Sequence, residues 1–443
     1  MRLRLLRIYL SFFTALFMLS GSYTHSQEAK PLLQDSIGKT TGWTESNRNF
    51  SDRIHSVKLV HEGFELAQPV IRLGSDEKLS LSFDDLQPDG STWYYTYQHC
   101  NADWTLSDLE SWEYIDGYDE GILDDFGYSH NTIFAYAHYE ATLPDEDLSP
   151  KLSGNYRLVV YSDSPENPVF TRSFMVVDPD VTIQGKVIQP NIAELRRSGQ
   201  EITFSVQTGE VRINNPYRDL NVVVVQNGRW DAARYGIQPN RVVGDMLSFD
   251  RQGAVVFNGG NEFRAADIKS LRYLTEEVAA IRDEGYAGIH IDLKPDGRRT
   301  FLQYRFEQDI NGRCIYKTED QTDPELSAEY LLVHFFLQDM TPLPDAGVYL
   351  MGEFTGWVAD TASAMIYDYE RQGYSKTMLL KQGFYNYQYV VFENGNTAGD
   401  ATRIEGSHWQ TENSYTVLVY FRQPGTDYDQ LIGLNWLTAN FSH

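Results

Sequence analysis

Residues 94–139 read YYTYQHCNADWTLSDLESWEYIDGYDEGILDDFGYSHNTIFAYAHY. Aromatic residues crowd into short runs, and the turns between them carry acids and glycine. Runs of this kind suit the pleated, half-buried surface of β-strands. The spacing holds no nucleophile–base pair and no ordered ligand set. The stretch predicts a β-sandwich that presents surface rather than an active site.

Strand signals continue on both sides. Residues 54–59 (IHSVKL) and 79–83 (LSLSF) alternate apolar with polar, the period of a strand with one buried face. Residues 93–97, 156–161 and 170–177 complete a sheet pair, with turns at Pro88-Asp89-Gly90, Ser153-Gly154-Asn155 and Asp163-Ser164-Pro165. A second set follows. Asn227-Gly228 closes the apolar run 222–225, Asp296-Gly297 separates 289–293 from 301–304, and Asn311-Gly312 separates Phe306 from 314–316. Such dipeptides adopt positive φ cheaply, as two-residue hairpin turns require. Residues 268–281 fit a helical face in part but have no C-cap and lie among strands, so they are read as strand or irregular. A third set comprises 330–337, 347–352, 376–380, 385–392 and 415–421. The predicted class is all-β, a tandem of immunoglobulin-like or early-set β-sandwiches. The expected divisions are a signal peptide 1–26, a linker or lead-in strand 27–50, and sandwiches at 51–180, 181–323 and 329–433.

A chain of 443 residues has length for several such units. Arg2, Arg4 and Arg7 precede a short apolar run from Ile8 to Leu19, and small polar residues follow near Ser26. That order is the pattern of an export signal, too short for a stable membrane span. No later stretch is apolar enough to cross a bilayer as a helix. The formal charge of −25 argues against nucleic acid and anionic lipid as partners. The two cysteines, Cys100 and Cys314, fall in different expected units; an exported chain could bridge them, but two buried free thiols are the favoured reading.

No G-x-S-x-G, H-E-x-x-H or Walker-type loop is present, so no catalytic residue, metal or cofactor is expected. His130 and His138, on one strand face, would stand about 26 Å apart, too far for one ion. Asp116, Asp119, Glu120, Asp124 and Asp125 lack calcium-loop order and read as a solvated acidic loop. Gly352-Glu353-Phe354-Thr355-Gly356-Trp357, followed by Tyr385, Tyr387 and Tyr389, is similar to the early-set sandwich of glycogen-binding modules. Trp357 or Trp409 could then offer a sugar platform, although core packing accounts for the same rings.

The series His99-Cys100-Asn101-Ala102-Asp103-Trp104, Glu113-Tyr114-Ile115-Asp116-Gly117-Tyr118, Ser129-His130-Asn131-Thr132, Tyr136-Ala137-His138-Tyr139 and Ser153-Gly154-Asn155-Tyr156 resembles the type IX secretion system plug protein family. The likeness extends through Gly260-Asn261-Glu262-Phe263-Arg264, Ser270-Leu271-Arg272-Tyr273 and Asp309-Ile310-Asn311-Gly312. It implies a non-enzymatic periplasmic subunit of a Gram-negative secretion machine, monomeric within its complex. Its implied partner is the large outer-membrane translocon barrel, whose periplasmic mouth it seals when no substrate is exported. The 29 Tyr and 8 Trp exceed the usual need of cores, so some are expected at the surface.

Overall fold

A computed structural model describes residues 43–395 and 398–441. The expected signal peptide lies outside the described residues, as does most of the lead-in. Residues 43–50 are packed against the body. Trp43 is buried, and Phe50 N donates to Val169 O (2.9 Å) beside the strand Pro168–Val177.

The first sandwich follows the alternation of its strands. One sheet runs Ile54–His61, Leu79–Asp85, Ala137–Leu143 and Phe126–Tyr128; the other runs Val70–Arg72, Pro168–Val177, Gly154–Tyr161, Trp93–Cys100 and Gly121–Leu123. In Trp93–Cys100, Trp93, Tyr95 and Tyr97 point inward. Phe83 stacks on Tyr139 at 4.9 Å, and Tyr156 stacks on Phe174 at 5.2 Å. Tyrosine serves here as a large hydrophobe whose hydroxyl reaches a polar rim: Tyr139 donates to Ser91 O (2.7 Å) and Tyr156 to Leu152 O (2.8 Å). Much of the tyrosine surplus is therefore core, not surface.

The strand pairing of the remainder does not follow the contiguous divisions 181–323 and 329–433. Leu220–Gln226 pairs with Asn413–Phe421, which pairs with Gln430–Ala439, and this sheet closes over Thr182–Ile188, Gly199–Gln207 and Met246–Phe249. The second sandwich is thus split along the chain. The third, built from residues 264–404, is inserted within it: Arg264–Asp267 and Cys314–Tyr316 pair with Gly383–Glu393, and Val278–Asp283, Ile289–Leu293, Tyr330–Gln338 and Gly373–Lys381 form the facing sheet. The split follows from the run Val222–Val225, which is apolar on both faces. Val222 and Val224 enter the second core, while Val223 and Val225 pack against Trp104, Met175 and Trp230 at the junction with the first sandwich. A strand buried on both faces must sit inside, between two packed layers.

Two hairpin expectations also change. Residues 301–304 are not a strand, and Phe301 is 95% exposed. The Asp296 carboxylate instead accepts from Arg264 NH1 (2.6 Å), Tyr387 OH (2.8 Å) and Tyr389 OH (2.7 Å), which pulls the chain away from a two-residue turn. Phe306 likewise lies in no strand, so Asn311-Gly312 closes no hairpin, although both residues take positive φ, 54° and 80°, and a Cβ at Gly312 would meet the Trp357 ring at 2.6 Å. Residues 268–281 hold no helix; the strand Val278–Asp283 begins late in them.

Candidate docking surface and the buried junctions

Residues 94–139 supply strands to both sheets of the first sandwich. Gly121–Leu123 is the edge strand beside Trp93–Cys100, with Ile122 opposite Tyr94. Tyr94 stacks on Tyr161 at 6.2 Å, and Tyr161 OH donates to Glu120 Oε2 at 2.8 Å. Trp112, Tyr118 and Ile122 are exposed, at 70%, 69% and 57%. Acids surround them: Asp116 lies 3.8 Å from Lys151, and Asp119, Asp124 and Asp125 face solvent. Gly117 ends the short strand Ile115–Gly117, between Trp112 and Tyr118, and pairs with Leu148. Its φ is +102°, and a Cβ there would meet Asp147 O at 1.9 Å. Exposed aromatics within an acidic field can anchor a protein contact at low entropy cost. The acids also discourage the edge strand from pairing with unintended chains.

The alternative sugar residues are placed otherwise. Trp357 is 6% exposed, with the Arg229 guanidinium 5.1 Å over its ring and the Phe263 edge at 5.9 Å. A ring covered in this way offers no face for stacking on a sugar. Trp409 is half-buried and meets Phe441 at 4.9 Å. Cys100 and Cys314 are both buried free thiols, each pushed up to about 12 by burial. His138 lies on the strand Ala137–Leu143, whereas His130 lies in the loop before it.

Sequence reasoning missed the polar groups buried where the sandwiches meet. Where the chain returns from the third sandwich to the second, Arg264 NH2 lies 2.9 Å from Glu405 Oε2 and Arg299 NH2 2.7 Å from the same oxygen, and Ser407 Oγ donates across to Ser198 O at 2.6 Å. Burial pushes Glu262 up to about 7 and Asp309 up to about 6. Shifts of that size can mark a reactive site. Here the partners are structural: Tyr304 OH donates to Glu262 at 2.5 Å, and Phe263 N to Asp309 at 2.5 Å. Between the first and second, Ala102 N donates to Asp429 Oδ2 (3.0 Å), Tyr420 OH donates to Asn155 Oδ1 (2.7 Å), and Trp43, Trp104 and Trp230 form a mutual ring cluster. Between the first and third, Lys58 pairs with Glu353 at 3.7 Å. Interlocking buried contacts at all three junctions hold the sandwiches together; Trp43 Nε1, Trp104 Nε1 and Glu262 Oε2 are buried there without a hydrogen-bond partner. The only sequence signal for these groups was their place in the resemblance, as with Gly260-Asn261-Glu262-Phe263-Arg264.

Residues 54–178 match the family described as type 9 secretion system plug protein 1st domain. The crystal structure of a hypothetical protein from Parabacteroides merdae is similar at 36% identity and TM-score 0.85, covering 88% of this chain and 98% of that one. The C-terminal domain of the Streptococcus pyogenes antigen I/II-family protein AspA aligns over 87% of this chain and 99% of its own, but at 6% identity and TM-score 0.16, too low to bear on the fold. No curated protein matches.

Proposed function

This chain belongs to the type 9 secretion system plug protein family, and from that premise we propose that it seals the periplasmic opening of the outer-membrane translocon barrel while no substrate is in transit. The family match carries the reading. The physical logic supports it: a wide protein-conducting pore leaks solutes when empty, so its seal must be rigid, exported and detachable. Three sandwiches locked at buried junctions supply rigidity, and a formal charge of −25 keeps the detached body soluble. No helix among the described residues is long and apolar enough to cross a membrane. The body acts by occlusion and converts no molecule.

The docking face in this reading is the acidic aromatic end of the first sandwich. Two observations favour it. The matched residues 54–178 are those of the first sandwich, and they carry Trp112, Tyr118 and Ile122 at the surface. Affinity purification of the tagged chain from its own envelope tests the reading. Recovery of the large barrel, together with raised solute leakage when the chain is deleted, is the expected result. A deletion strain whose outer membrane leaks no more than the parent would reject it.

A further inference from the structure

Antiparallel register places Asp84 directly opposite His138 and Ser82 opposite Glu140. His138 and Glu140 are two apart on one strand, so both side chains leave the same face of the sheet. Asp84 Oδ1 lies 2.5 Å from His138 Nδ1. That contact orients the ring and leaves Nε2 facing outward, 3.4 Å from Glu140 Oε1. Glu325, from the third sandwich's segment Pro324–Ser327, completes the group: one donor atom from each of His138, Glu140 and Glu325 lies within 4.8 Å of the others. The three line a cleft of about 320 Å³ between the first and third sandwiches.

The Glu325 backbone is held independently. Its carbonyl accepts from Tyr136 OH and from Lys381 Nζ, both at 2.9 Å, and His130 N donates to Leu326 O at 2.9 Å. The local charge permits a cation, because the nearby ammonium groups are already engaged: Lys381 by Asp84 at 2.8 Å and Lys58 by Glu353.

We propose that His138, Glu140 and Glu325 form a divalent-cation site of the zinc class, with water completing the shell, that clamps the third sandwich to the first. One imidazole and two carboxylates are a zinc donor set, and bonds near 2 Å put neighbouring ligand atoms about 3.4 Å apart. A carboxylate on the far nitrogen of a ligating histidine is the usual second layer of such centres, since it fixes the tautomer and raises basicity. The site is independent of what the outer face of the body meets.

Zinc titration of chelator-stripped mature protein, by calorimetry and metal analysis, tests the proposal. One zinc per chain is expected, with a dissociation constant below about 10 μM and a raised Tm. Cobalt in its place is expected to give the visible absorption of a four- or five-coordinate centre. Glu140→Gln and Glu325→Gln sit at exposed positions and keep the fold, and each is expected to weaken binding at least about tenfold. The proposal is overturned if the wild-type chain takes up no zinc at about 0.1 mM. It is equally overturned if both variants bind as the wild type does, because the cluster is then a histidine–carboxylate ion pair alone.

Discussion

Lys381 Nζ lies 2.8 Å from Asp84 Oδ2, and the two side chains are 2% and 0% exposed. One belongs to the third sandwich and the other to the first. The same carboxylate accepts from Tyr330 OH at 2.6 Å, and the ammonium sits 4.3 Å over the Tyr136 ring. A buried charge pair contributes little over apolar packing, but stranding one partner is costly. Lys381→Met is therefore expected to cost about 3–5 kcal/mol in urea unfolding, and the double variant with Asp84→Leu to recover much of that loss.

The same pair sets an acid limit. Burial alone would raise the Asp84 carboxyl; Lys381 and His138 outweigh it and hold the group below the usual carboxylate range. A depressed carboxyl contributes stability that is full above its unfolded value and is lost as pH falls through the folded one. Stability measured below about pH 4 should fall more steeply in the wild type than in Asp84→Asn, after both are normalised to pH 7. Equal slopes would place the acid-sensitive groups elsewhere.

Glu262 works with the opposite sign. Burial raises its carboxyl to about 7, so the native chain holds this proton more tightly than the unfolded one. Stability from this group is greatest below about pH 4.5 and is lost as pH rises through 7. Asp309, raised to about 6, adds in the same direction, while His99, lowered to about 4 by burial, opposes them. Comparison with Glu262→Gln isolates the term. The variant should lose about 1 kcal/mol less than the wild type between pH 5 and 8, allowing for solvent screening. Parallel curves would mean that Glu262 titrates normally.

Trp43 closes the junction of the first and second sandwiches from the N-terminal side. It stacks on Trp230 at 5.8 Å and meets Trp104 edge-on at 5.3 Å. Trp43→Ala is expected to cost about 3–5 kcal/mol and to open the junction to protease before either core unfolds. Simultaneous loss of both cores with no early cleavage would show that the junction and the sandwiches are a single cooperative unit.

The all-β class and most strands were legible because alternation survives wherever one face meets solvent. Ile54–His61, Leu79–Asp85, Trp93–Cys100 and Tyr330–Gln338 all lie where the pattern put them. Partner choice was not legible. Alternation says which side of a strand is buried but not against what, so the return of Asn413–Phe421 to Leu220–Gln226 left no local trace. The expected end at 433 cut through Gln430–Ala439 for the same reason. The buried polar junctions were hidden likewise. Glu325 gives no hint in sequence of a position beside His138, and Asp296 looks like a turn residue until three donors from distant segments converge on it. The surface rings were not legible one by one either: the excess of Tyr and Trp implied that some are exposed, but Tyr114 is buried between the exposed Trp112 and Tyr118, all three among the same acids.

Those surface rings give the most direct test of the docking face. Trp112, Tyr118 and Ile122 make few intramolecular contacts, so a Trp112→Ala, Tyr118→Ala, Ile122→Ser variant should stay within about 0.5 kcal/mol of wild-type stability per site. Aromatic anchors at the centre of a contact cost about 2 kcal/mol or more each when truncated. Barrel recovery on the tagged variant should therefore fall by well over tenfold, with circular dichroism unchanged. Charge separates this face from a purely apolar one. Asp119→Asn, Asp124→Asn and Asp125→Asn should slow association, with the largest effect at low salt, and should change dissociation little. A folded triple-ring variant that still captures the barrel at wild-type yield would move the docking face off this end. The next surface to test would be Met340, Ile366 and Tyr369 of the third sandwich, exposed at 74%, 75% and 78%.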